Sequence, residues 1–95
     1  MVKHIVLWKF ASPSSDNLGI VKQALEAQNG RIPGLIRLEA GASFNTGRRG
    51  VHFALYSEFE SREALAAYHK HPAHAQTRAI VDPLAQEHWI ADYET

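Results

Sequence analysis

Three of the chain's six histidines lie between residues 69 and 74, in the stretch "AYHKHPAHAQ" that also carries Tyr68 and Pro72. An imidazole titrates near neutral pH, so such a residue can act as a general base or acid. A phenol nearby can donate its O–H to a carbonyl or enolate oxygen. His74 is the first candidate for catalysis and Tyr68 the second. A useful base needs a partner to fix its tautomer, and Asp92 is the partner expected for His74. The same residues also admit a structural reading, in which His74 and Asp92 pin helix to sheet and Tyr68 fills core, because buried polar groups are as a rule satisfied ones. His69 is expected to face water and His71 to cap a helix broken at Pro72. Histidines at short helical spacing also suggest zinc. His69 and His71, however, are two positions apart and do not share a helix face. No neighbouring Asp, Glu or Cys completes a set, so no metal is expected.

These side chains must be held by elements that the patterning supplies. Residues 2–10 alternate with period two, Val2, His4, Val6, Trp8 and Phe10 on one face and Lys3, Ile5, Leu7 and Lys9 on the other, which predicts a strand. Ser14, Ser15 or Asp16 can cap a helix carrying Leu18, Val21, Ala24 and Leu25 at helical spacing. Gly30 ends it, and Ile32-Pro33-Gly34 makes a turn. A second strand is expected from Leu35 to Phe44, with Ile36, Leu38, Ala40, Ala42 and Phe44 on one face, and a third from Val51 to Phe59. Ser61 caps a second helix, which breaks near His71; a short helix with Ala73, Thr77, Ile80, Val81 and Leu84 on one face follows. A last strand is expected over His88–Tyr93, with His88, Ile90 and Asp92 facing the helices and Trp89 and Tyr93 facing away. His4 on the helix-facing side either lines a pocket or bonds a backbone carbonyl. Trp8 and Phe53 share its face and are expected to form the apolar wall of a small cavity.

The order βαββαβ predicts an α+β, ferredoxin-like domain over residues 1–95, with helices on one face of a four-stranded antiparallel sheet. The other face, with Ile5, Leu7, Ala54 and Tyr56, is too apolar to leave wet. A second copy packed sheet to sheet is the economical cover, giving a homodimeric α/β barrel.

Hydrophobic residues make up 45 % of the 95, and 10 basic residues balance 10 acidic ones. The balance removes the electrostatic footprint of a nucleic-acid binder. There is no cysteine, which is compatible with a cytoplasmic location, and the apolar run between His4 and Lys9 is too short for a signal-peptide core or a membrane span. No phosphate loop, dinucleotide fingerprint or nucleophile elbow occurs, so no cofactor is expected.

The stretches "VKHIVLWKF", "RIPGL", "ALYSEFESREALAAYHKHPAH" and "WIADYE" resemble the stress-responsive A/B barrel (Dabb) domain family, with "HPAH" at 71–74 the most specific mark. The resemblance implies a dimeric barrel of two ferredoxin-like units. Many members have no assigned activity, and some plant members are stress-associated proteins without known catalysis. One is a polyketide cyclase that closes a ring by an intramolecular aldol reaction without metal or cofactor. Its catalytic tyrosine and histidine fall here on Tyr68 and His74, and its first-strand pocket histidine falls on His4. A third-strand histidine of that pocket falls on Phe53, while His52 points to the opposite face, so the same substrate is not implied. The function expected is binding of a small apolar carbonyl compound between sheet and helices, with cofactor-free acid–base chemistry. The alternatives are a non-enzymatic stress-associated dimer and an enzyme like the distantly related cofactor-free monooxygenases.

Overall fold

In a computed structural model describing residues 1–95, four strands and three helices follow in the order β1 (Val2–Phe10), α1 (Ser15–Glu26), β2 (Leu35–Ala42), β3 (Phe53–Phe59), α2 (Arg62–His69), α3 (Pro72–Val81) and β4 (Ala85–Glu94). The strands form one antiparallel sheet in the order β2-β3-β1-β4. With the helices on one face this is the ferredoxin-like arrangement expected. No helix is long and apolar enough to cross a membrane.

Strict alternation along β1 and β3 decides which side chains enter the core. Val2, His4, Val6, Trp8 and Phe10 are buried beneath the helices, as are Phe53, Leu55, Ser57 and Phe59. The apolar ones among them divide into two clusters. One joins Val6, Trp8, Phe10, Phe53 and Leu55 to Val21 and Leu25 of α1. The other joins Val2 and Phe59 to Leu65 and Tyr68 of α2. The seam between them falls at His4 on β1 and Ser57 on β3, which are cross-strand partners. There the Ser57 hydroxyl donates to the carbonyl of His4 at 2.8 Å. A buried polar row thus interrupts the apolar face, and each of its groups requires a partner.

The helices begin where their caps dictate. Ser14 Oγ accepts from the Asn17 N–H at 3.1 Å and Ser61 Oγ from the Ala64 N–H at 3.0 Å. The helix break at Pro72 follows the same chemistry: His71 Nδ1 accepts from the Ala73 N–H at 3.0 Å, with Pro72 at the first helical position. The turn after α1 uses two left-handed glycines, Gly30 (φ 78°) and Gly34 (φ 82°). Gly34 is also pressed against α2, where a Cβ would stand 2.5 Å from that of Ala64.

Five expectations are corrected. β2 ends at Ala42, leaving Phe44 98 % exposed. Its register shifts between Leu35 and Arg37, so Leu35 pairs with Phe59 and Ile36 is turned out, 46 % exposed. A one-residue bulge reverses the face of what precedes it. Ile80 is likewise turned out, because α3 buries Ala73, Thr77 and Val81 instead. β3 starts two residues later and β4 three residues earlier than the alternation suggested.

Candidate functional site

Side chains from β1, β4 and the α2–α3 corner converge on a cleft of about 200 Å³ between sheet and helices. His4, Trp8, Tyr68 and His74 line it, with Val6, Leu25, Leu55 and Val81 as apolar wall. Its other flank is β4, whose helix-facing residues His88, Ile90 and Asp92 all remain exposed. The helices lie over β1, β2 and β3, and the cleft opens along the strand beyond them.

His4 is the best-fixed polar group. It is 3 % exposed, and antiparallel pairing sets Asp92 directly across from it on β4. Side chains at such paired positions share a face and touch. His4 Nδ1 donates to Asp92 Oδ1 at 2.5 Å, and Nε2 is left without a protein partner in the cleft wall. A carboxylate on one ring nitrogen fixes the tautomer and presents the other nitrogen for proton transfer. The expected His74–Asp92 pair is therefore corrected: strand register gives the carboxylate to His4, and His74 packs its ring on Tyr68, centroids 4.4 Å apart.

Tyr68 is 3 % exposed between Phe59, His4 and His74. Burial pushes its phenol up to about 12, and the Gln28 amide beside it works in the other direction. It is a neutral O–H donor throughout the physiological range. His74 is half-buried and its pKa is lowered, first by desolvation and then by His69, with the His69 carbonyl opposing. His69 is lowered by desolvation, then by His4, with Asp92 opposing. At neutral pH the lowered values favour the uncharged rings, each of which can take a proton.

Sequence reasoning placed His69 in water. The ring is exposed, yet it stands over the cleft mouth, 5.4 Å from the His4 centroid and 5.5 Å from that of His74. His88, expected to face the helices but not named for the site, and Arg78, not singled out at all, also reach the cleft. His88 alternates with Ile90 and Asp92, and Arg78 lies four residues from His74 on α3, so the spacing could have found both. Phe53 is corrected: it is 1 % exposed and packs behind Trp8, centroids 6.1 Å apart, in the core rather than the cleft wall. Asp92 reaches the cleft through His4. The histidine rings meet edge to face at 5.4 and 5.5 Å, and no three His, Asp or Glu side chains are grouped as metal ligands.

A profile of the stress-responsive A/B barrel (Dabb) domain matches residues 2–95. The chain belongs to this family. No curated protein matches it significantly. Among solved structures, this Dabb chain is 32 % identical to a dimeric ferredoxin-like protein of unknown function from Bacteroides fragilis, with 99 % of this chain and 95 % of that one covered and a TM-score of 0.85. A dimeric ferredoxin-like protein of unknown function from Thermobifida fusca matches at 23 % identity and TM-score 0.87, over 99 % of this chain and 90 % of that one. The hydroxynitrile lyase of Passiflora edulis shares the fold at 18 % identity and TM-score 0.83, over 97 % of this chain and 90 % of that one.

Proposed function

We propose that the cleft binds a small carbonyl compound with an apolar body and moves a proton at the carbon next to the carbonyl, without metal or cofactor. The observation that carries this reading is the buried His4, oriented by Asp92, opening on the same cleft as the Tyr68 phenol. His4 Nε2 takes the proton, Tyr68 donates to the oxygen on which negative charge develops, and half-buried His74, once it has taken a proton from water, passes that proton to product. A cleft of about 200 Å³ suits a molecule of roughly one substituted ring. Aldol closure or isomerisation fits this inventory, and the same fold carries a hydroxynitrile lyase in a distant structural neighbour. The chain is read as a homodimer, which its dimeric neighbours support, packed through the open apolar sheet face, and as cytoplasmic, which suits its lack of cysteine.

Thermal shift and calorimetry with benzoylacetone, acetylacetone and acetophenone, beside toluene as an apolar control, test the binding. The ketones are expected to raise the melting temperature and toluene to do less. Hits are then followed by α-proton exchange in heavy water, which Asp92→Asn and His74→Gln should slow while leaving the melting point nearly in place. No response to any ketone, or equal loss of exchange and stability, returns these residues to a purely structural role in a non-enzymatic dimer.

A further inference from the structure

The base assigned above is almost sealed. His4 is 3 % exposed, one ring nitrogen is committed to Asp92, and Ser57 holds the backbone beneath it. A base that takes a proton there must also lose it to water before it can act again. His69 is the group placed to carry it. It ends α2, its ring is exposed, and it meets the His4 ring edge to face, centroids 5.4 Å apart, interplanar angle 82°. That separation is short enough for a single water to bridge the two imidazoles. None of the side-chain hydrogen bonds within the protein occupies the His69 ring, unlike that of His71, which caps α3.

We propose that His69 is the proton shuttle of this cleft, carrying protons between the buried imidazole of His4 and solvent. Protonated His4 gives its Nε2 proton to a neutral His69 ring nitrogen and returns to the neutral form with Nδ1–H still on Asp92. His69 then releases the proton to water, and no other bond changes. The groups that face the ring favour release. Arg78 and His74 approach from α3, His4 from β1 and Tyr68 from its own helix. Of the charged or titratable groups, His4 and Arg78 oppose a resident proton and Asp92 alone favours one. A carrier that does not retain its load suits the task.

The proposal deepens the reading of His4 as base, but its test requires no substrate. In protein labelled with ¹⁵N at histidine, line shape and relaxation dispersion of the His4 ring across a pH series report how fast that ring gains and loses its proton. His69→Leu and His69→Gln, both at an exposed position, are expected to slow this exchange at least about tenfold, and millimolar free imidazole should restore it. Equal rates in wild type and either folded variant, or no rescue by imidazole, would overturn the shuttle. Failure of every ketone to bind would sink the proposed function and leave the rate difference standing, so the two failures are distinguishable.

Discussion

His69 and His74 are both less basic in the folded chain than the ordinary 6.5. The unfolded chain therefore takes up protons that the folded one refuses as pH falls. Their contribution to stability is whole above about pH 6.5 and shrinks as pH drops through their lowered values. Melting curves from pH 8 to pH 5 should show this decline, and His74→Gln should flatten it. Within the cleft, Asp92→Asn is expected to reduce α-proton exchange at least about 100-fold, because an amide can hold the wrong His4 tautomer. Asp92 is half-exposed, so the melting point should fall by little. The residue types were legible in the sequence, and so was the face that His4 shares with Trp8. The partner of His4 was not. Asp92 lies 88 residues away, and only the β1–β4 register, which no local pattern encodes, brings the two together.

At the level of elements, ends and turns were written plainly. Ser61, His71 before Pro72, and Gly30 each act where their chemistry favours them. The bulge at Ile36 was hidden, because an apolar residue in an alternating run reads as core whether or not the partner strand keeps step. The exposure of His69 was foreseen but its direction was not, since a helix's last turn can stand over a cleft and still be wet. Two substitutions test how the corner is held. Gly34→Ala meets Ala64 in a left-handed conformation and should cost about 1–3 kcal/mol, read by chemical denaturation. His71→Ala removes the cap on α3 and should cost about 1 kcal/mol. If α3 sets the angle at which His74 meets Tyr68, the cap variant should also weaken ketone binding.

The whole molecule presents a second face that its helices leave bare. Ile5, Leu7, Ala54 and Tyr56 are only partly covered, and Trp89 and Tyr93 stand 44 % and 48 % exposed beside them. A copy packed on this face is expected from the apolar patch and from the dimeric neighbours. Sedimentation should give a dimer for the wild type and a monomer for Leu7→Glu with Trp89→Glu. The cleft lies on the opposite side of the sheet, so the monomer should still bind ketone if it stays folded.

Asp92, Ile90 and His88 all belong to an edge strand over which the cleft lies open. Edge pairings tend to open locally well before a domain unfolds. Each such opening takes the carboxylate away from His4 and erases the site while the core clusters stay intact. The fraction of molecules competent at any instant is then a property of one seam, β1 against β4, rather than of global stability. Amide exchange along Ala85–Glu94 would measure that fraction directly, and a ligand lodged in the cleft would lengthen the closed intervals.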